Sequence, residues 1–214
     1  MYIKTLKVRS NKKIKNKAKN FFVNNKLFTV LLIIFILGIT VGNLVFKNST
    51  EGFVKKVSDL IVCNFEVRSS GSFFNIFSES IFSSFIFILV IFSIGVSAFG
   101  LALVPLIIFF RGYCTGIFQS YLLLNFGLKG LIFFILVILP GLFVSILAIL
   151  LMAKEAIKMS NVFSNMLLNI KPWQSDEKYV KSYLTKTGCI VILVLISAFI
   201  DVSTNFLLFR FFSF

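Results

Sequence analysis

The 214-residue chain has no histidine, only three cysteines and three prolines, and just eight acidic residues. The absence of histidine excludes zincin motifs, Ser-His-Asp triads and Cys-His pairs. Cys63, Cys114 and Cys189 lie far apart without a CxxC pair, which argues against a zinc site and a disulfide framework. No Walker A sequence and no dinucleotide-binding glycine pattern occurs. We therefore expect no enzyme activity, no cofactor and no metal.

Apolar residues dominate what is present, at 58% of the chain. Nine Lys and Arg residues and no acidic residue occupy positions 1–26, and an apolar run follows at 27–46. Twenty residues of helix rise about 30 Å, the thickness of the hydrocarbon core. The run is too long for a cleaved signal, and a basic flank stays in the cytoplasm. The sequence predicts a multi-pass protein of the cell membrane with a basic cytoplasmic tail at 1–26.

The apolar runs predict an all-α membrane bundle of five transmembrane helices, forming one membrane domain over residues 27–214. The expected spans are about 27–46, 81–100, 104–125, 131–153 and 186–209. An outer segment (47–80) and an inner segment (154–185) connect them, with the N-terminus inside and the C-terminus outside. Residues 1–26 and 154–186 then hold fifteen of the 22 Lys and Arg residues. A four-span arrangement would put the basic 154–186 loop outside, against the positive-inside rule.

The net charge of +14 suggests two kinds of partner, nucleic acid and membrane lipid. A basic tail beside a membrane attracts anionic lipid at about 1 kcal/mol per residue. The tail is rich in lysine without the interleaved aromatic or arginine pattern of a nucleic-acid reader. We expect membrane lipids as partners and no nucleic acid.

Apart from Lys186, the first residue of the fifth span, Arg111 and Asp201 are the only charged residues within the predicted spans. A charge at the bilayer centre costs several kcal/mol on insertion scales, about 2.5 to 3.5, so each needs a physical reason. Two alternatives stay open at this point. The two side chains form a buried ion pair, or Arg111 reaches towards the inner face and Asp201 towards the outer face.

Pro140 lies near the middle of the fourth predicted span and removes one backbone hydrogen bond, which predicts a kink. Broken helices line substrate sites in transporters, although an ordinary tolerated kink is the more common explanation. Two pairs of small residues, Gly38/Gly42 and Gly112/Gly116, predict close helix approach. We expect this packing inside the bundle, with contact in a homo-oligomer as the alternative.

The outer segment contains a stripe of apolar residues at helical spacing. Phe53, Val57, Leu60 and Ile61 are the members we expect to contact a partner. The alternative is that this stripe packs against the protein's own membrane helices.

Five stretches, taken in order, resemble the stage II sporulation protein M family over essentially the whole chain. They are Leu37-Gly38-Ile39-Thr40-Val41-Gly42, Phe110-Arg111-Gly112-Tyr113-Cys114-Thr115-Gly116-Ile117-Phe118, Asn125-Phe126-Gly127, Leu139-Pro140 and Ile196-Ser197-Ala198-Phe199-Ile200-Asp201. The residues are small and apolar, and it is their combination that carries the resemblance.

The resemblance implies a non-enzymatic scaffold that acts in endospore formation, when the mother-cell membrane engulfs the forespore. Such a scaffold holds two peptidoglycan-degrading enzymes, an amidase/endopeptidase and a lytic transglycosylase, at the septal or engulfing membrane of the mother cell. Broader relatives often carry His-Gly after the membrane proline and a Glu soon after, where this chain has Gly141, Leu142 and Ser145. That departure argues against transferring ion or proton chemistry.

A transporter or permease-like component built around Pro140, Gly141 and Arg111 is the alternative function. Transporters usually place several polar groups at the bilayer midplane. The fourth and fifth predicted spans offer mainly Ser145, Ser197 and Asp201. This scarcity favours the scaffold.

Overall fold

The computed structural model describes residues 26–70, 73–167 and 177–208, without the side chains of 60, 62–70, 166, 167, 177–179 and 208. The described residues are helical and include no strand. The elements are α1 (Lys26–Lys47), α2 (Glu51–Ser70), α3 (Phe73–Gly95), α4 (Gly100–Phe133), a π-helical turn (Phe134–Ile138), α5 (Leu139–Leu167) and α6 (Glu177–Leu208). The predicted all-α class is confirmed. Most of the basic tail lies outside the described residues.

Four helical stretches are long and apolar enough to cross a membrane. They are Lys26–Lys47, Phe73–Gly95, Gly100–Asn165 and Val180–Leu207. The third contains 66 residues, and as one straight helix it would be about 100 Å long, three times the hydrocarbon thickness. Its length therefore requires a change of direction within it.

The chain reverses direction at Gly127, which has φ 56° and ψ −137°. Glycine adopts a positive φ without the steric cost that a side chain brings. The rings of Phe118 and Phe134 lie 6.2 Å apart between centroids, whereas sixteen residues of straight helix would separate them by about 24 Å. The 66-residue stretch is therefore two antiparallel limbs joined at Gly127.

The α3–α4 connection marks one end of the bundle, and the reversal at Gly127 marks the other. At the Gly95 end, Tyr183 Oη of α6 donates to Phe92 O in the last turn of α3 (3.2 Å), and Ser160 Oγ of α5 donates to Ala98 O in the connection 96–99 between α3 and α4 (3.3 Å). At the Gly127 end, a buried apolar cluster contains Phe46, Ile61, Tyr121, Leu122, Phe133 and Phe134. Helix α1 runs from the Gly95 end to the Gly127 end, since Phe28 and Leu31 pack with Ile91 and Tyr183.

Helices α1 and α4 cross at the four glycines of the predicted small-xxx-small pairs, Gly38, Gly42, Gly112 and Gly116. A Cβ on any of them would strike a backbone carbonyl of the other helix. For Gly38 this is the carbonyl of Phe109, and for Gly112 it is that of Phe35. Small residues allow such close backbone approach in membrane helices, where packing contacts replace the hydrophobic effect. Within this chain, the glycines serve an internal crossing.

Helix α3 begins at Phe73, eight residues before the predicted start of the second span. It therefore includes Glu79 and Ser80, and the candidate span Phe73–Gly95 carries an acidic residue. In the helix as observed, Glu79 therefore joins Arg111 and Asp201 as an ionisable residue in a stretch long enough to cross a membrane. An exposed apolar pair at the start of the helix, Phe73 and Phe74, explains the extension, because it continues the apolar surface of α3 beyond the polar Ser78–Ser80 interruption.

A candidate functional site between four helices

A cavity of about 360 Å³ lies between α3, α4, α5 and α6. Nine of its fourteen lining residues are polar or charged, although the outer surface of these helices is apolar. The lining residues are Glu79, Ser80, Ser83, Ser84, Arg111, Cys114, Thr115, Phe118, Ile138, Gly141, Leu142, Ser145, Ser197 and Asp201. Polar and ionisable groups inside membrane helices are costly to bury, so a concentration of them is a functional-site hypothesis by default.

The floor of the cavity is formed by α5 and α6, whose lining residues Gly141, Ser145, Ser197 and Asp201 are buried. Ser197 Oγ donates to the carbonyl of Gly141 at 2.8 Å. Ser145 Oγ lies 2.6 Å from Ser84 Oγ, a hydrogen bond that joins α5 to α3. These two bonds hold the cavity walls together.

Gly141 allows the close approach of α5 to α6 at the cavity floor. A Cβ at this position would lie 2.6 Å from the Cβ of Asp201 and 2.9 Å from its Cα. Asp201 is only 5% exposed. The glycine that follows the membrane proline therefore positions the acidic residue of α6 in the wall.

The distortion expected at Pro140 appears as the π-helical turn Phe134–Ile138 immediately before it. Proline has no N–H, so the helix loses a hydrogen bond one turn earlier. Thr204 Oγ1 on α6 approaches the carbonyl of Val137 at 2.8 Å. Val137 O is not the acceptor that Pro140 leaves without a donor, which is Leu136 O in a regular α-helix, so this contact joins α6 to the distorted segment and does not replace the lost bond. The kink is thus stabilised by α6 next to the cavity.

The mouth of the cavity lies between α3 and α4, since the lining residues Ser83 and Cys114 are exposed, whereas Gly141, Ser145, Ser197 and Asp201 are buried. Arg111 Nη1 donates to Ser83 Oγ at 3.3 Å and so reaches from α4 to α3. The guanidinium carbon lies 4.8 Å from the centroid of the Phe87 ring, a cation–π contact. Arg111 Nε is buried and has no hydrogen-bond partner among the described residues.

A known protein family matches most of the chain. The sequence model of the family described as stage II sporulation protein M matches residues 31–203. This chain belongs to that family. No curated protein and no solved structure matches it. The matched range starts in α1 and ends in α6, so every residue that lines the cavity belongs to the stage II sporulation protein M region.

Two residues that the sequence analysis marked as unusual meet in this cavity of the stage II sporulation protein M family member. Arg111 and Asp201 line the same cavity, and Pro140 adjoins it. The hydrogen bond found for the Arg111 guanidinium goes to Ser83, so a direct Arg111–Asp201 ion pair stays a prediction. The glycines of the α1–α4 crossing are not part of the cavity.

The α2 residues predicted to contact a partner lie apart from the cavity. Val57 packs against the buried cluster at the Gly127 end, and Ile61 is a member of that cluster with 7% exposure. Phe53 is 37% exposed. The side chain of Leu60 lies outside the described residues. Partner binding at these positions stays a prediction.

The α3 half of the cavity was missed by the sequence analysis. Glu79 and Ser83, like Ser80 and Ser84, are four residues apart and therefore share one helix face. Polar residues at this spacing, inside a helix that is otherwise apolar, are a readable signal. It was missed because the predicted span began at 81, which left Glu79 and Ser80 in the outer segment.

Proposed function

We propose that this protein is a non-enzymatic membrane scaffold of endospore formation. It holds peptidoglycan-degrading enzymes, an amidase/endopeptidase and a lytic transglycosylase, at the septal or engulfing membrane of the mother cell. The observation that carries this proposal is the family match over residues 31–203, in a chain whose described part consists of long apolar helices.

In the proposed arrangement the chain crosses the membrane five times. The reversal at Gly127 divides the 66-residue stretch into two crossings, which adds one to the four candidate spans. Lys26, Lys154, Lys158, Lys181 and Lys186 belong to helix portions at the Gly95 end, and eight further basic residues precede Lys26. Lys47, Lys55, Lys56 and Lys129 belong to the Gly127 end, so the basic tail carries the difference in charge between the ends. The positive-inside rule then makes the Gly95 end cytoplasmic and the Gly127 end external.

Helix α2 is the proposed partner-binding element, since it lies at the external end in this orientation. Its face bearing Val57 and Ile61 packs against the bundle, and Ser58 Oγ lies 3.3 Å from Tyr121 Oη. Phe53 is exposed at the edge of this face, one turn before Val57, and the opposite surface presents Lys55, Lys56 and Asp59. A docked helix with an exposed aromatic and exposed charges is suited to bind the juxtamembrane region of a partner. Of the predicted contact residues with a described side chain, Phe53 is the most accessible.

A second candidate function is solute transport, which the polar cavity favours. The scarcity of polar residues in the last two spans argued against transport. Helices α3 and α4 contribute Glu79, Ser83, Ser84, Arg111 and Thr115 to the same cavity, so the bundle interior is not poor in polar groups.

Deletion of the gene in its native host, followed by membrane-dye imaging of sporulating cells, tests the scaffold. We expect arrest with a flat or bulging septum and no migrating membrane. Expression of the intact chain from a second locus should restore engulfment. Normal engulfment in the deletion strain would contradict the scaffold and leave transport as the leading candidate.

Crosslinking then tests the partner element in cells that engulf normally. A photo-crosslinking residue placed at Phe53 should capture a peptidoglycan-degrading enzyme. The matched control is the same residue placed at Leu106, which is 64% exposed on α4 away from α2. Equal capture from both positions would contradict a specific surface on α2.

A further inference from the structure

We propose that the cavity between α3, α4, α5 and α6 is a hydrated binding site for a small zwitterionic group. The ligand's acidic group binds at Arg111, and its ammonium group binds on the side of Asp201 and Glu79. This site is separate from the proposed scaffold surface on α2.

The depth of the cavity along the helices favours a polar ligand inside it. Helix α3 has 23 residues, and Ser84 lies about 17 Å from its start in a length of about 35 Å. Ser84 is therefore at the middle of a candidate span. Hydrocarbon cannot satisfy polar groups at this depth, so a polar ligand suits this space better than an acyl chain.

Arg111 provides the donors for an acidic group. A guanidinium has five N–H donors and no acceptor, and the hydrogen bond found here uses one donor, at 3.3 Å to Ser83. Arg111 Nε is buried without a partner among the described residues. Carboxylate and phosphate oxygens match the planar fork of arginine donors.

The rest of the wall provides acceptors for an ammonium group. Asp201 and Glu79 contribute carboxylate oxygens. Thr115 donates its hydroxyl proton to the carbonyl of Arg111 at 2.9 Å, and Ser197 donates to the carbonyl of Gly141. These two hydroxyl oxygens are therefore left as acceptors. An ammonium has three donors and no acceptor, which is the complement of such a wall.

The mixture of charges selects a zwitterion over a simple ion. The lining carries one cationic and two acidic side chains, so a simple anion meets two carboxylates and a simple cation meets the guanidinium. A ligand with both charges places each opposite a complementary group. Burial at mid-membrane depth strengthens both interactions relative to water.

A zwitterionic ligand can reach the cavity through the mouth between α3 and α4 from either of two sources. Exposed Ser83 and Cys114 lie at the lateral surface of the bundle, which faces lipid in a membrane. A soluble amino-acid-like or phosphoethanolamine-like solute is one source, and the headgroup of an ethanolamine phospholipid is the other.

Cys114 is a built-in reporter for the test. The full chain carrying Cys63→Ser and Cys189→Ser keeps Cys114 alone and is reconstituted in phosphatidylcholine nanodiscs. A small water-soluble methanethiosulfonate then measures its reactivity. The matched control adds Cys114→Ser and Phe110→Cys, because Phe110 is exposed one turn away on the same helix. We expect Cys114 to react about tenfold faster or more, since the thiolate is the reactive form and requires a hydrated site.

Protection of Cys114 then tests the ligand class. O-phosphoethanolamine should slow the reaction at lower concentrations than inorganic phosphate or ethanolamine alone. Arg111→Gln should abolish the protection. If that variant does not fold, Arg111→Lys should weaken it, because lysine keeps the charge but loses the planar fork.

Phosphatidylethanolamine nanodiscs separate the two sources. Slower labelling there without added probe assigns the ligand to the lipid headgroup, and an unchanged rate together with protection by the soluble probe assigns it to a free solute. Reactivity of Cys114 equal to that of the position-110 cysteine would overturn the proposal. Equal protection by phosphate or ethanolamine alone, or protection that survives the Arg111 substitutions, would also overturn it. Because the engulfment experiment does not depend on this site, either hypothesis can fail alone.

Discussion

At the residue scale, the informative positions in this protein are those where a small or a charged side chain is required by its surroundings. Gly112 and Gly38 are required because a carbonyl of the facing helix occupies the space of a Cβ. Arg111 and Asp201 are informative because each brings a charge into an apolar bundle, and the fold directs both to one cavity. The same fold leaves Gly188 with open space around it.

Gly112→Ala is expected to destabilise the bundle, since the new methyl group would force α1 and α4 apart. Overpacking of a well-packed site typically lowers the free energy of unfolding by about 1–3 kcal/mol. Gly188→Ala is the matched control, because a Cβ there meets nothing within 4 Å. Thermal unfolding followed by size-exclusion chromatography in detergent measures both. Equal stability of the two variants would mean that the α1–α4 crossing is looser than described.

Arg111→Ala and Asp201→Ala should each lower the yield of folded protein, because Arg111→Ala removes the one cation of a cavity with two carboxyl groups, and Asp201→Ala removes one of the two acidic groups that share the cavity with the guanidinium. If the two groups interact, the double variant should recover part of the loss. The yield of monodisperse protein from matched expression cultures is the measurement. Strictly additive losses would show that the two charges act independently.

At the scale of single elements, the kinked limb of α5 and the outer helix α2 each depend on a neighbour. The π-helical turn before Pro140 has its own backbone bond from Leu139 N–H to Phe134 O, and the Thr204 hydroxyl of α6 contacts it at Val137 O. Helix α2 has an apolar face that packs on the bundle and a polar face that remains exposed. The helices that pack against α5 and α2 therefore determine the structural role of the proline and of the apolar stripe.

Thr204→Val should destabilise the kinked helix, because the carbonyl of Val137 loses its side-chain donor. Hydrogen bonds between membrane helices average about 0.6 kcal/mol, with about 1.7 as an upper value. Thr185→Val is the control, since the Thr185 hydroxyl donates to Lys181 O within its own helix. Thermal unfolding of the two variants gives the difference. A larger loss for Thr185→Val would argue against support of the kink by α6.

Ile61→Glu and Phe53→Glu should have different effects, although both residues belong to the apolar stripe of α2. Ile61→Glu puts a charge into the buried cluster at the Gly127 end and should lower the folded yield. Phe53→Glu should leave the yield near that of the native chain and reduce recovery of the peptidoglycan-degrading partner after detergent extraction. Unchanged partner recovery with Phe53→Glu would place the contact elsewhere.

At the scale of the whole molecule, the bundle is organised by two ends rather than by a single compact centre. One apolar cluster surrounds the α3–α4 turn, and a second lies beside the reversal at Gly127. The polar cavity lies between α3, α4, α5 and α6. In the five-span arrangement these two ends face opposite sides of the membrane.

Cysteines introduced at the two ends test that arrangement in intact cells. Lys129→Cys at the Gly127 end should react with an impermeant maleimide, whereas Lys158→Cys at the Gly95 end should react only after permeabilisation. Both lysines are exposed, so access to the thiol is set by the membrane. The native cysteines are replaced by serine in both variants. The reverse pattern would invert the proposed orientation.

The sequence alone determined the class of this protein and the approximate places of its apolar helices. Runs of twenty apolar residues have few alternatives to a membrane helix, because unpaired backbone groups cannot be placed in hydrocarbon. The glycine pairs, Pro140, Arg111 and Asp201 were also readable as unusual positions in such runs. Family membership followed from the order of these small features along the chain.

Only the tertiary structure decided which of these residues are in contact and which other residues line the cavity with them. Gly38 faces α4, Ile61 packs inward while Phe53 stays exposed, and Glu79 joins Arg111 and Asp201 in one cavity. Helical periodicity predicts which residues share a face, but the face that each helix turns towards its neighbours depends on packing between distant segments. The cavity is built from four such faces, and for this reason no single segment of the sequence revealed it.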